Sequence, residues 1–253
     1  MRELERDPTS EIPACRRLAI IGRGRVGHAL AAALGRAGYQ IVGPLGRGAD
    51  GLGADVALLC VPDAEIAHAA SCVEPGPIVG HCSGATGLDA LAHHEGFSLH
   101  PLMTVTSEGA EFAGAGAAIA GTTPRSLALA AELAQALGMR PVQIDEQDRA
   151  AYHAAASIAS NFLITLEAAA EEIGATVGLE REQLVPLVRA TVENWARLGP
   201  ERALTGPVAR GDEATIARQR AAVSDAAPEL VELFDALVIA TRSLVSAREA
   251  QPA

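Results

Sequence analysis

Short apolar runs alternate with amphipathic stretches through the first 145 residues of the chain. Residues 18–21, 40–43, 56–61, 78–81, 97–100, 117–120 and 141–144 read as strands, apolar on nearly every position rather than on every second one. Apolar residues recur at helical spacing just after residue 27 and over 64–71, 88–94 and 124–137. Strands that are apolar throughout and alternate with helices predict an α/β fold, a doubly wound parallel sheet covered on both faces. Residues 46–55 are too few and too rich in glycine for a full crossover helix. Beyond Asp145 the strand signal stops. Residues 146–177 form one long helical pattern, and helices follow over 181–198, 212–224 and 228–247. The natural division is a loose tail over 1–17, a sheet domain over 18–145 and a helical domain over 146–253.

Composition narrows the function classes. Apolar residues make up 49% of the 253 positions but aromatics only 3%, so Ala, Val, Leu and Ile must build the core. A net charge of −11 argues against nucleic acid or an anionic membrane surface as the main partner. No apolar run approaches the ~18 residues of a bilayer span, and the charged first ten residues lack the apolar region of a signal peptide. Cys15, Cys60, Cys72 and Cys82 show no disulfide or metal spacing, which reads as free thiols in a reducing cytoplasm. His93 and His94 read as solvated, and no set of His, Cys, Asp or Glu has metal-ligand spacing. There is no lysine. Schiff-base chemistry and a lysine acid are therefore excluded, and a proton donor must be His, Tyr, Cys, a carboxylic acid or water.

Chemistry first appears at Gly22-x-Gly24-x-x-Gly27, between the first strand and a helix. Gly22 permits the tight turn, Gly24 lets the backbone approach a pyrophosphate, and Gly27 allows close packing of helix on strand. The helix N-terminus, with Arg23, Arg25 and Val26 around it, then faces the phosphates. This is the dinucleotide fingerprint of a Rossmann sheet. An NAD site would carry Asp or Glu at the end of the second strand, where this chain has Gly43-Pro-Leu-Gly-Arg47. A missing carboxylate and an available guanidinium favour NADP(H) over NAD(H), although each arginine could equally be solvated surface.

In open parallel sheets, ligands bind beyond the carboxyl ends of the strands. Val61 and Pro62 are placed there to brush the cofactor, and Ser83 and His100 to reach a substrate. Ser83 could instead cap its turn, and His100 could simply close its strand. On the long helix, His153, Ser157, Ser160 and Asn161 fall within an arc of about 100°. The neighbouring face, with Tyr152, Phe162 and Leu163, looks like core. A buried polar stripe needs partners, which a substrate or other helices could supply. His153 is the best acid there, Asn161 could orient a substrate oxygen, and Arg210, on a loop between glycines, could clamp a carboxylate or pair with Asp212.

These motifs, with Val61-Pro-Asp63, His81-Cys-Ser-Gly84, His100-Pro101, Tyr152-His-Ala-Ala-Ala-Ser-Ile-Ala-Ser-Asn161 and residues 203–212, resemble a bacterial family over nearly the whole chain. Its members join a Rossmann-like NADP domain to an all-helical C-terminal domain of unknown function. The layout is more distantly similar to the 6-phosphogluconate dehydrogenase superfamily, with its ketopantoate reductases, pyrroline-carboxylate reductases and prephenate dehydrogenases. That resemblance implies hydride transfer and a homodimer formed through the helical domain. It also departs from the pattern: where ketopantoate reductases carry a lysine on the long helix, this chain has His153 in the comparable region. The expectation is an NADP(H)-dependent oxidoreductase acting on a small carbonyl or imine, with a 2-oxo acid such as ketopantoate as best guess. A prephenate-like or pyrroline-carboxylate-like enzyme and a non-catalytic NADP sensor are the alternatives.

Overall fold

A computed structural model describes residues 16–51, 53–91 and 93–250. Of the tail expected over 1–17, residues 1–15, Cys15 among them, lie outside the described residues, and Arg17 already belongs to the first strand. The described chain groups into two compact units, 1–160 and 161–253.

The first unit is built on a seven-stranded sheet. In chain order its elements are β1 (Arg17–Ile21), α1 (Arg25–Arg36), β2 (Gln40–Leu45), β3 (Val56–Leu59), α2 (Ile66–Cys72), β4 (Ile78–His81), β5 (Gly96–Leu102), β6 (Gly116–Gly121), α3 (Pro124–Ala136), β7 (Arg140–Gln143) and α4 (Arg149–Ser157). The strand order is β2-β1-β3-β4-β5-β6-β7, with β2 and β7 at the edges. Both faces are buried, as the continuously apolar strands require. Leu18, Ile20, Leu58, Phe97 and Leu99 pack against Leu30 and Leu34 of α1 and Leu129 and Leu133 of α3. On the other face, Ile21, Ala57, Leu59 and Val79 pack against Ile66, Ala69 and Ala70 of α2. Helices on two faces make the sheet doubly wound.

One part of the expectation needs correction: the sheet is not parallel throughout. β1 to β5 are parallel, but β6 pairs antiparallel with β5 and β7 runs with β6. The cause is the connection over residues 103–115, which contains no helix. Without a crossover the returning strand can only lie antiparallel beside its predecessor. α3 then supplies the crossover from β6 to β7. The helix expected over 88–94 is a single 3-10 turn, Leu88–Leu91.

The second unit is helical: α5 (Leu163–Ala175), α6 (Arg181–Leu198), the single turn α7 (Pro200–Ala203), α8 (Glu213–Ala226) and α9 (Val231–Ala250). Arg220 binds Asp235 and Arg242 binds Glu213 across α8 and α9, and Arg181 binds Glu171 across α5 and α6. Asp212 accepts from the Thr215 N–H at 3.0 Å as the N-cap of α8. The long helix expected over 146–177 is interrupted. A 3-10 turn, Glu146–Asp148, precedes α4, and a π-helical turn, Ile158–Phe162, separates α4 from α5. Among the described residues no helix is long and apolar enough to cross a membrane.

Candidate functional site

The glycine loop lies where the sequence places it. Gly22 has φ +126°, and a Cβ there would collide with the Cys60 carbonyl. A Cβ on Gly27 would strike the Gly22 carbonyl, so these two glycines are required for loop, helix and strand to close together. Gly24 is different. Nothing lies within 4 Å of its Cβ position, and it caps α1 with no side-chain hydrogen bond. Its missing side chain keeps open space in front of the helix N-terminus.

That space is a pocket of about 430 Å³. Gly22, Arg23 and Gly24 line one side and Gly46 and Arg47 another, with Cys60, Val61 and Pro62 closing it. The arrangement fits a dinucleotide: free backbone N–H groups where a pyrophosphate would lie, and a guanidinium beside the end of β2. Arg47 Nη1 stands 3.4 Å from a Glu65 carboxylate oxygen, an exposed pair at the rim of the pocket. Arg25 and Val26 belong to the first turn of α1 and do not line this pocket.

A second group of polar side chains gathers at the carboxyl ends of β4 and β5. His81 and Ser98 are cross-strand partners, in line with Leu59 of β3, and so point to the face covered by α2. His100, two residues after Ser98, shares that face. α4 brings three residues against them. Arg149 Nη2 donates to Ser98 Oγ at 3.3 Å, and Nε donates to Glu146 at 3.3 Å. The Tyr152 hydroxyl stands 2.6 Å from His100 Nδ1, with the two rings edge-on at 87°. The His153 ring meets His100 edge-on at 6.2 Å between centroids. Beneath these rings lies Gly84. A Cβ there would be 2.9 Å from His100 Nδ1, His100 Cε1 and His153 Cδ2. The absence of a side chain at 84 is what lets two imidazoles close over the loop.

Burial sets the charge states. His81 is fully buried and Arg149 nearly so. Desolvation, then the Arg149 guanidinium, pushes His81 down to about 4, against the weaker pull of the Gly87 backbone, Asp63 and Asp89. His100 falls to about 4 through desolvation first and then the neighbouring His153. Desolvation raises Tyr152 to about 12, with Arg149 opposing. The phenol is thus protonated, and both imidazoles neutral, at neutral pH. His81 Nδ1 accepts from the Ser83 N–H at 3.2 Å, and its Nε2 is buried without a hydrogen-bond partner. Cys60 and Cys82 lie with their sulfurs 3.7 Å apart, and that contact together with burial raises the Cys82 thiol.

Of the residues singled out in the sequence, His100 and His153 come together in the first unit. Ser83 accepts from the Ala85 and Thr86 N–H groups, the turn-capping alternative. Ser157 ends α4, while Asn161 and Arg210 belong to the second unit, both exposed. The expected stripe assumed 100° per residue through Asn161, and the π turn breaks that phase. Tyr152 is not core: its hydroxyl engages His100. Phe162, expected beside it on the core face, is 56% exposed. Arg149 was missed altogether, because an arginine opening a helix looks like solvated surface. His94, expected in solvent, bonds the Ala70 carbonyl through Nε2 at 3.0 Å. Among the described residues no cluster could hold a metal ion.

Comparison with known proteins agrees with this architecture. A family model described as a domain of unknown function, DUF2520, matches residues 115–241. No curated protein sequence matches the chain. A Bacteroides fragilis protein, provisionally named an NADP oxidoreductase, has a TM-score of 0.78 at 20% identity, covering 91% of this chain and 99% of its own. A Thermotoga maritima protein scores 0.78 at 23% identity, covering 90% and 99%. A reductive aminase from Aspergillus terreus, crystallised with NADPH and ethyl levulinate, scores 0.69 at 13% identity, covering 92% and 99%. At these identities the likeness is one of fold.

Proposed function

Because the chain belongs to the DUF2520 family, whose description names no activity, we propose its function from the geometry of the first unit: an NADP(H)-dependent oxidoreductase that reduces a small carbonyl or imine. The observation that carries the proposal is the pairing, along one edge of one sheet, of an open glycine-loop pocket with a cluster of proton-bearing side chains. When bound, the reduced coenzyme supplies a hydride. The residues of the chain must then hold the phosphates and deliver a proton.

Gly22, Arg23, Gly24 and Arg47 do the first, through backbone N–H groups and a guanidinium. The name of the Bacteroides protein and the NADPH in the Aspergillus structure support this coenzyme. Three groups can serve the second: His153, the acid named by the sequence, and the His100–Tyr152 pair. No feature of the site selects ketopantoate, so the proposal stops at the substrate class. The apolar side chains exposed on α5 and α6, Ile164, Leu187 and Trp195 among them, support pairing of two copies through the helical unit.

The test has two stages. Fluorescence titration with NADPH and NADH should show binding, tighter for NADPH. Loss of nicotinamide absorbance is then followed across oxo acids, ketones with amines, and cyclic imines. Absence of binding overturns the proposal. Tight binding without turnover on the whole panel favours a sensor of the NADP pool instead.

A further inference from the structure

We propose that Tyr152 hands the proton to the substrate as it is reduced, and that His100 positions the Tyr152 hydroxyl for that transfer. This rests on the reductase reading above and goes beyond it by choosing among the three candidate groups.

The geometry distinguishes them. His153 meets His100 only ring to ring, at 6.2 Å between centroids, and among the described residues no hydrogen bond fixes its imidazole. Tyr152 is held otherwise. Its oxygen is fixed 2.6 Å from Nδ1 of a residue 52 positions away, on a strand instead of a loop. A hydroxyl has one proton and two lone pairs. If His100 Nδ1–H donates to the Tyr152 oxygen, the phenolic proton is left free to point at a substrate. The same N–H would then stabilise the tyrosinate once that proton has gone. One turn earlier on α4, Arg149 is 4% exposed and has its positive charge close enough to favour the phenolate form. The phenol stays protonated through the neutral range, and a phenol is a stronger acid than the aliphatic alcohol it would help to form. The charged and titratable groups around it are Arg149 and His153 on its own helix, the neutral His100 on β5, and Asp63 in the 3-10 turn that follows β3, which acts on the same His100 ring.

The step balances. The carbonyl carbon gains the hydride, the C=O π pair moves to oxygen, and that oxygen takes the proton from Tyr152 Oη. Water then reprotonates the tyrosinate. The net change is a ketone, NADPH and one proton giving an alcohol and NADP⁺.

The first measurement needs no turnover. Nitrogen-15 NMR of the coenzyme-free protein should find His100 Nδ1 protonated, with a resonance that moves in Tyr152→Phe. An unprotonated Nδ1 overturns the proposal. With a panel substrate, Tyr152→Phe should lower kcat by about 100-fold, leaving KM and NADPH affinity within about twofold. His100→Asn, which keeps an N–H near the Nδ1 position, should retain most of the rate, whereas His100→Ala should fall to the level of Tyr152→Phe. In the wild type, kcat should stay level from about pH 6 to 9. A fall of about tenfold per pH unit above about 7 would assign the proton to an imidazole and overturn the proposal. So would an undiminished rate in a folded Tyr152→Phe variant. Should that variant fail to fold, the wild-type pH profile and the NMR experiment still decide. NADPH binding without any turnover removes the reductase reading, and this inference with it.

Discussion

Acidification should destabilise the first unit through His81. The imidazole is fully buried at the end of β4 and is held neutral, first by desolvation and then by Arg149, with a pKa of about 4 in place of 6.5. A base with a depressed pKa binds fewer protons folded than unfolded between those two values. Its contribution to stability is therefore present above about pH 6.5 and is lost as the pH falls toward 4. Integrating the linkage from pH 7 to pH 4.5 gives about 2.5 kcal/mol for this one residue. His100 acts in the same direction, but its partial exposure reduces its share. His81→Asn removes the titration while keeping an acceptor for the Ser83 N–H. Urea unfolding at pH 7 and 4.5, followed by far-UV circular dichroism, measures the difference. The chain has one tryptophan, Trp195 on α6, so its fluorescence reports the second unit separately. The wild type should lose about 2.5 kcal/mol more than His81→Asn between the two pH values. Equal losses in the two proteins would show that burial of this imidazole does not govern acid stability.

Two glycines of the phosphate loop should fail in different ways. Gly22→Ala places a Cβ against the Cys60 carbonyl at a positive φ and should cost about 2–4 kcal/mol of stability in urea unfolding. Gly24→Ala puts its Cβ into open space, so the melting temperature should hold while NADPH binding weakens in a fluorescence titration. Arg47→Ala should weaken NADPH by about 1–3 kcal/mol and leave NADH almost unchanged in parallel titrations. An unchanged NADPH-to-NADH ratio would leave Arg47 with only its contact to Glu65.

Much of the first unit was legible because its signals are local. An apolar strand, a glycine turn and an amphipathic helix each leave a mark within a dozen residues, and the loop over 22–27 combines all three. Strand direction leaves no such mark. β6 and β7 have the same apolar character as their parallel neighbours, and only the helix-free connection before β6 reverses them. The candidate site was read in part. His100 and His153 stand out as histidines at strand end and on helix, but 100° periodicity puts Tyr152 on the alanine-rich face beside the polar stripe, which reads as core. Alanine fits buried and exposed faces alike, so an alanine-rich helix gives periodicity little contrast. The π turn at Ile158–Phe162 then removes the constant phase on which any stripe argument depends. Arg149 needed Ser98 and Glu146, 51 and 3 residues away, to be recognised as a buried cation.

The two outer strands carry one further property. β2 holds Pro44 and β7 holds Pro141, and each proline removes a backbone donor from a rim of the sheet. Arg140 adds a charge beside the second. A foreign extended segment arriving at either border would find an interrupted row of donors, so neither margin offers a template for intermolecular β-pairing. A protein whose interior is so uniformly aliphatic has particular need of that protection while it is being synthesised.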